Sequence, residues 1–140
     1  MLTAQRLYVD ANIIIYFVEA GGTLQQKAIE VFSHARANHI SLITSEIMVG
    51  ECLVGAHKTE NQSLVDGYRQ LFHELDVFQL MPVKLQTIEI AARMGAGYQM
   101  KLMDALHVAT AIEAACDVFL TNDLKIRSGG ELKVIQFSSL

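Results

Sequence analysis

Four acidic side chains interrupt otherwise apolar stretches of the sequence: Asp10, Glu51, Asp104 and Asp123. Carboxylates that share a pocket repel one another, so they stay ionised together only where a cation lies among them. A site built from carboxylate oxygens, with no His or Cys ligand, suits a hard divalent cation such as Mg²⁺ or Mn²⁺. Such a cation could activate a bound water molecule and orient a phosphodiester for hydrolysis.

Each of the three aspartates lies at or next to the end of a predicted strand or helix, and taken alone each also has a structural interpretation. Asp10 could cap the short helix that follows it, and Asp104 at the start of a helix is favoured by the helix dipole. Asp123 could form a turn in which its carboxylate accepts a backbone hydrogen bond. A common pocket for all four acids is nevertheless favoured, because the acids recur at elements that a parallel α/β sheet can bring together.

Short apolar strands alternate with helices along the whole chain. The pattern predicts strands over residues 7–9, 40–43, 77–81, 118–120 and 133–137. It predicts helices over residues 13–18, 24–38, about 46–58 with Ser45 as N-cap, 63–75, 87–100 (weakened by Gly95 and Gly97) and 104–116. This alternation is typical of an α/β fold with a mostly parallel sheet covered on both faces. Open sheets of this class bind ligands beyond the carboxyl ends of their strands, which is where Asp10 and Asp123 lie.

The composition bounds the class of protein. The chain has 140 residues, of which 51% are hydrophobic, so we expect one globular domain over residues 1–140. The net charge of −4 argues against a protein that holds nucleic acid by charge alone. Cys52 and Cys116 are typical of buried thiols in a reducing, cytoplasmic setting rather than of a disulfide. No stretch approaches the roughly 20 apolar residues of a membrane-spanning helix, so we expect no membrane association.

Three segments carry a family resemblance that covers nearly the full length of the chain. The first opens on a strand that ends in an Asp, with an Asn two residues later. The second holds a helical Glu, and the third holds the last two of the four acids. The segments are residues 9–16, 44–56 and 101–111 followed by 120–123. In this order and at these intervals they resemble the PIN-domain family, and they look most like the VapC-type toxins of bacterial toxin–antitoxin pairs.

The resemblance implies a three-layer α/β fold in which a parallel sheet of about five strands, ordered 3-2-1-4-5, is flanked by helices. Asp10 and Asp123 would then face each other where the strand order reverses. It also implies metal-dependent endonucleolytic cleavage of RNA, with Asp10, Asp104 and Asp123 as ligands of Mg²⁺ or Mn²⁺. Glu51 would bind the metal directly or through water and help to take the proton from the attacking water. The resemblance further implies an antitoxin protein as partner and a homodimer.

Further polar side chains are candidates for supporting roles. Asn12, Thr121 and Asn122 could orient the carboxylates at the ends of the two strands, while a helix N-cap at Asn12 and ordinary turn chemistry at the other two explain them equally well. His107 lies one helical turn after Asp104 and could hydrogen-bond that carboxylate or a phosphate. A packed histidine is the commoner case.

Three basic residues flank two of the proposed ligands and are the best candidates for contacts with RNA phosphates: Lys101, Lys125 and Arg127. Their alternative interpretation is solvated loop charge. Glu46 lies five residues before Glu51 and points about 140° away from it on a helix, so we interpret it as an acid of the first helical turn rather than a ligand.

Two other functions compete with a metal-dependent nuclease. A phosphatase of the haloacid-dehalogenase type also has an Asp after its first strand, but it typically needs a second Asp two residues later, where this chain has Asn12. A PIN-like module that binds RNA or protein without cleaving is the other alternative. The intact set of four acids argues against it.

Overall fold

Residues 2–140 are described by a computed structural model of the chain. Their five strands form one sheet: β1 (Arg6–Val9), β2 (Ser41–Ser45), β3 (Gln79–Met81), β4 (Val118–Thr121) and β5 (Lys133–Gln136). The spatial order is β3-β2-β1-β4-β5, and every neighbouring pair is parallel. This confirms the predicted α/β class and the 3-2-1-4-5 order. The order reverses between β1 and β4, the strands that precede Asp10 and Asp123.

Six α-helices within residues 2–140 connect and flank the strands: α1 (Ala11–Ile15), α2 (Gly22–Ala37), α3 (Glu46–Lys58), α4 (Gln62–His73), α5 (Leu85–Tyr98) and α6 (Leu102–Glu113). The predicted helices are all present, with modest shifts at their ends. Ser45 caps α3 as predicted, because its Oγ accepts a hydrogen bond from the Ile47 amide at 3.1 Å. α6 begins two residues before the predicted start, so Asp104 lies within its first turn rather than opening it.

The helix predicted over residues 13–18 is α1 continued by one π-helical turn, Tyr16–Ala20. Such a turn inserts a residue into the α-helical repeat and rotates the side chains that follow. The hydroxyl of Tyr68 on α4 donates a hydrogen bond to the Glu19 carboxylate, which fixes this turn against α4. A short 3₁₀ turn, Phe137–Ser139, follows β5.

The central strand shows why the strands are short and apolar. Leu7, Tyr8 and Val9 are all fully buried, although alternate side chains of a strand point to opposite faces of the sheet. Both faces of β1 are therefore covered by helices, as expected for a parallel sheet. Tyr8 stacks on Phe119 of β4 with ring centroids 4.9 Å apart, in agreement with the β1–β4 register. These contacts hold the carboxyl end of β1 in place, and Asp10 is the next residue along the chain.

Both cysteines are buried free thiols, as the sequence predicted. Burial raises the pKa of Cys52 and of Cys116 to about 12, so neither thiol is a reactive thiolate at neutral pH. Among the helices of residues 2–140, none is long and apolar enough to cross a lipid bilayer.

A close approach at Gly95 sets the turn between α5 and α6. A Cβ atom on Gly95 would lie 3.2 Å from the Met100 carbonyl oxygen and 3.7 Å from the Ala105 Cβ. The Met100 amide also donates to the Gly95 carbonyl at 3.0 Å, which closes the turn. Gly97, by contrast, has open space where a Cβ would be. Gly95 therefore lowers the helix propensity of α5 but permits the tight turn that leads to Asp104.

The two glycines of α5 give a matched pair of substitutions. Gly97→Ala is expected to raise the free energy of unfolding by ~0.5–1 kcal/mol, because alanine loses less conformational entropy in a helix. Gly95→Ala is expected to stabilise less, or to destabilise, because its Cβ presses on the Met100 carbonyl. Urea unfolding of both variants checks this. An equal or larger gain from Gly95→Ala would contradict the close approach.

Candidate functional site

The site is at the carboxyl ends of β1 and β4, where the strand order reverses. The Asp10 amide donates to the Leu120 carbonyl at 3.0 Å, which extends the β1–β4 pairing to the first acid. Thr121 Oγ1 donates to Asp10 Oδ2 at 2.7 Å, and the Ala11 amide donates to Oδ1 at 2.8 Å. Both carboxylate oxygens of Asp10 are thereby oriented, and the residue is 8% exposed. The same carboxylate is also the N-cap of α1, so the capping interpretation holds as well.

Thr121 connects the ends of the two strands. Besides donating to Asp10, its Oγ1 accepts a hydrogen bond from the Asp123 amide at 3.0 Å and one from Asn12 Nδ2 at 3.4 Å. Thr121 is fully buried, and it lies 111 residues from Asp10 in sequence. One hydroxyl group therefore sets the orientation of the Asp10 carboxylate and the path of the backbone to Asp123.

The two asparagines link α1 to the segment that follows β4. Asn12 Oδ1 accepts from the Asn122 amide at 3.1 Å, and Asn122 Nδ2 donates to the Tyr16 hydroxyl at 3.2 Å. Asn122 Oδ1 accepts from the Ser138 amide at 3.2 Å. Asn12 is the second residue of α1, so it is not the N-cap, which was one interpretation of it. Neither side chain hydrogen-bonds a carboxylate; both fix the backbone that carries the acids.

Asp104 and Asp123 are half-buried and less constrained than Asp10. Asp123 Oδ1 accepts a hydrogen bond from the Lys125 amide at 2.9 Å, which is the turn geometry that the sequence allowed. The Asp104 carboxylate has no hydrogen-bond partner within residues 2–140. Asp104 therefore retains rotational freedom at the edge of the crevice.

The carboxyls act on one another through their charges. Burial, followed by repulsion from Asp123, Asp10 and Glu51, raises the pKa of the Asp104 carboxyl. Burial is also the largest cause of the raised pKa of Asp10, where hydrogen bonding from Thr121 opposes it and Glu51 adds repulsion. The structure thus brings all four predicted acids within electrostatic reach at one edge of the sheet.

A hard divalent cation fits the chemistry of this donor set. Its oxygens are carboxylate oxygens, and a bound cation would offset the burial and the repulsion that raise the pKa values of Asp10 and Asp104. As the side chains stand, no group of three or more His, Cys, Asp or Glu within residues 2–140 converges on one point as a metal site would. Convergence requires side-chain rotation, which the unpaired Asp104 carboxylate permits.

Glu51 on α3 reaches the site with a partner that lies on α6. Its Oε1 is hydrogen-bonded by Nε2 of His107, whose Nδ1 lies 2.6 Å from the Tyr8 hydroxyl. His107 is thus packed and hydrogen-bonded to a carboxylate at once, although the carboxylate is that of Glu51 rather than of Asp104. Glu46 is exposed in the first turn of α3, in keeping with its interpretation as a helix-terminal acid.

The three basic candidates are exposed around the crevice. Lys101 is the N-cap residue of α6, and Lys125 follows Asp123 by two positions. Arg127 donates from its guanidinium to the carbonyl oxygens of Leu124 and Ile126, so its own loop already occupies part of its donor set. The two lysines are the basic side chains whose ammonium groups remain available beside the acids.

The sequence profile of the PIN domain matches residues 7–132, a span that contains all four acids. The chain belongs to the PIN-domain family. The resemblance seen in its three sequence segments is thereby confirmed. No protein of curated function matches the chain.

Solved structures share the fold of this PIN domain at low sequence identity. VapBC2 from Rickettsia felis, solved bound to a DNA fragment from their promoter, is 14% identical with a TM-score of 0.74, covering 94% of this chain and 98% of that one. A toxin–antitoxin complex from Klebsiella pneumoniae is 23% identical with a TM-score of 0.68, covering 90% and 94%. VapC20 from Mycobacterium tuberculosis, a toxin that cleaves the sarcin–ricin loop, is 14% identical with a TM-score of 0.65, covering 81% and 86%.

Tyr8 is the residue of this PIN domain whose contact with the site the sequence did not predict. The sequence pattern predicts Tyr8 only as part of the first strand, yet its hydroxyl contacts His107. A signal was present, because residues two apart on a strand share a face, and Tyr8 lies two positions before Asp10. A tyrosine in a strand buried on both faces also needs a polar partner for its hydroxyl.

Asp104→Asn is expected to raise the stability of the metal-free PIN domain. The folded-state pKa of Asp104 is raised above its ordinary value of 3.8, so the folded protein binds this proton more tightly than the unfolded chain does. The cost in stability therefore begins as the pH rises through the ordinary pKa of 3.8 and is complete above the raised pKa. We expect a gain at pH 7 of at most about 1 kcal/mol, because solvent screens a half-exposed carboxyl. The gain disappears below about pH 3, where the carboxyl is protonated in both states.

Glu46→Gln is the matched control, since Glu46 is also an acid in the first turn of a helix, but it is exposed and is not among the charges that raise the pKa of Asp10 or Asp104. It is expected to lower the melting temperature slightly, because the positive end of the helix dipole favours a negative charge there. Thermal unfolding in EDTA at several pH values compares the two variants. A loss of stability in Asp104→Asn would mark Asp104 as a structural residue.

Proposed function

We propose that this PIN domain is an endoribonuclease that hydrolyses RNA phosphodiester bonds with Mg²⁺ or Mn²⁺, and that it is the toxin of a toxin–antitoxin pair. The observation that carries the proposal is the gathering of four acids at the carboxyl ends of β1 and β4 in a PIN-domain sheet, where burial and repulsion between carboxyls raise the pKa values of Asp10 and Asp104. Four acids in electrostatic contact are costly for stability alone. A site for a divalent cation and a phosphodiester accounts for them.

Each acid has its own part in this proposal. Asp10, Asp104 and Asp123 would hold the cation, and Glu51 would bind it directly or through water. When bound, the cation lowers the pKa of a coordinated water and offsets charge on the phosphate. Glu51 would accept the proton of the attacking water as general base, because it is the most exposed of the three hydrogen-bonded residues Tyr8, His107 and Glu51. Asp10, oriented by Thr121, gives the site its fixed point.

RNA would be held locally rather than by the net charge of the protein, which is −4. Lys101 and Lys125 are exposed, lie within three residues of Asp104 and Asp123 in the sequence, and are suited to contact the phosphates that flank the scissile bond. Arg127 is a weaker candidate, because its guanidinium already donates to two carbonyl oxygens of its own loop. A substrate bound in this way depends on the metal as much as on the lysines.

An antitoxin protein is the proposed partner, and a cytoplasmic homodimer the proposed assembly. Two of the solved structures of similar fold are complexes of a toxin with its antitoxin. Apolar side chains are exposed beside two of the acids, at Leu102, Met103 and Leu124. A partner that covers these side chains would also close the crevice and so suppress the activity.

Cleavage of an end-labelled pool of structured RNAs tests the activity. Wild-type protein with Mg²⁺ or Mn²⁺ is expected to give discrete products that EDTA abolishes. Asp10→Asn is expected to lose more than the roughly 100-fold that removal of a supporting residue costs, because it removes a ligand. Glu46→Gln removes one negative charge elsewhere and is expected to cleave as wild type does.

Three results would contradict the proposal. Products that persist in EDTA would show that cleavage does not depend on a metal. Equal cleavage by Asp10→Asn and wild type would show that the proposed site does not carry the activity. An RNA pool that is retained but not cut under any metal would support the non-cleaving binding module instead.

Induced expression in a bacterial host tests the toxin assignment separately. Wild-type protein is expected to arrest growth, while Asp10→Asn expressed to the same level is not, because arrest requires the cleavage. Colony counts after induction measure the effect. Normal growth with an actively cleaving wild-type protein would indicate a solitary nuclease rather than a toxin.

A further inference from the structure

A chain of hydrogen bonds runs from the interior of the sheet to the crevice through side chains on three elements. The hydroxyl of Tyr8 on β1 lies 2.6 Å from Nδ1 of His107 on α6. Nε2 of the same ring hydrogen-bonds Oε1 of Glu51 on α3. The side chain of His107 is 2% exposed and that of Glu51 is 33% exposed. This series of hydrogen bonds therefore begins in the apolar core and ends at Glu51, where solvent and substrate have access.

The chemistry of the carboxylate fixes the direction of the hydrogen bond between His107 and Glu51. A carboxylate can only accept, so Nε2 of His107 carries hydrogen and donates it to Glu51. In a neutral ring Nδ1 is then the acceptor of the Tyr8 hydroxyl, whereas in a protonated ring Nδ1 donates to the hydroxyl oxygen, so both ring nitrogens are engaged in either state. Burial raises the pKa of Tyr8 well above 10.0, which keeps that hydroxyl protonated. The two contacts are consistent with one tautomer of His107.

This arrangement separates the role of His107 from that of Glu51. Both ring nitrogens of His107 are engaged, so the ring has no free lone pair with which to take a proton from water. Oε2 of Glu51, in contrast, has no hydrogen-bond partner within residues 2–140. We propose that His107, oriented by Tyr8, is a positioning residue that holds the Glu51 carboxylate with one oxygen turned to the site.

The positions of the elements explain why such a residue is needed. Glu51 is a flexible side chain on a helix surface, and it loses rotamer freedom only if a rigid group binds it. His107 is rigid because it is packed in the core and its ring is fixed by Tyr8, which stacks on Phe119. His107 also lies three residues after Asp104 on the same helix. One helix thus carries one acid of the site and positions another.

The inference rests on the proposed function, since it assigns Glu51 a part in the hydrolysis, and its test therefore includes a readout that needs no activity. The first measurement is the ¹⁵N NMR spectrum of the histidine rings in the metal-free protein. The expected signature is hydrogen on Nε2 of His107 that is protected from exchange. Glu51→Ala is expected to lose the protection of that hydrogen.

The second measurement compares three variants of α6 for Mn²⁺ affinity by calorimetry and for RNA cleavage. His107→Leu keeps the bulk and removes the donor, and it is expected to weaken Mn²⁺ binding or kcat about 10–100-fold with KM little changed. His107→Gln restores an amide donor near the position of Nε2 and is expected to recover most of that loss. Thr110→Val, at a buried hydroxyl that bonds only its own helix, is the control and is expected to match wild type.

The outcomes separate the two proposals. An Nε2 of His107 that carries no hydrogen, or equal behaviour of His107→Leu and wild type, would overturn the positioning role. Equal losses in His107→Leu and His107→Gln, in parallel with equal losses of melting temperature, would also overturn it by making His107 a packing residue. A wild-type protein that neither binds Mn²⁺ nor cleaves RNA would defeat the proposed function, and the tautomer would then decide alone whether His107 holds Glu51.

Discussion

Electrostatic repulsion among four carboxyls in a partly desolvated crevice is the constraint on which the rest of the structure depends. Burial, together with this repulsion, raises the pKa values of Asp10 and Asp104, so the ionised site opposes folding in the absence of a cation. The parallel sheet withstands this because β1 is buried on both faces and paired on both sides. A fold that holds such charges together at a cost to stability is best explained by a ligand that offsets them.

Structural and chemical roles coincide in the residues of the site. Asp10 caps α1 and is the fixed carboxylate of the crevice, because the cap and Thr121 together orient both of its oxygens. Asp123 accepts the backbone hydrogen bond of a turn, and its charge also repels the Asp104 carboxylate and raises the pKa of Asp104. The hydrogen bonds that hold the backbone are therefore also the ones that direct the carboxylates, and a choice between the two interpretations is unnecessary.

Features that depend on local sequence pattern could be predicted from the sequence. Features that depend on contacts between helices could not. The strands are short apolar runs, so their number and the location of Asp10 and Asp123 after two of them follow from the pattern. The strand order came from the family resemblance. The contact of His107 with Glu51 joins α6 to α3 across 56 residues, and only the packing of the two helices on the sheet determines it. The π-helical turn at Tyr16–Ala20 likewise has no pattern that distinguishes it from an α-helix.

The location of Mn²⁺ in crystals soaked with the ion tests the central claim most directly, because its anomalous signal identifies the metal without any assay. The account predicts a peak at the carboxyl ends of β1 and β4, about 2.0–2.4 Å from an oxygen of Asp10 and of at least one of Asp104 and Asp123. The Asp104 side chain is expected to rotate toward it. A fully soaked crystal with no peak in the crevice, or with a peak only at other acids, would contradict the claim that these four carboxylates form a metal site.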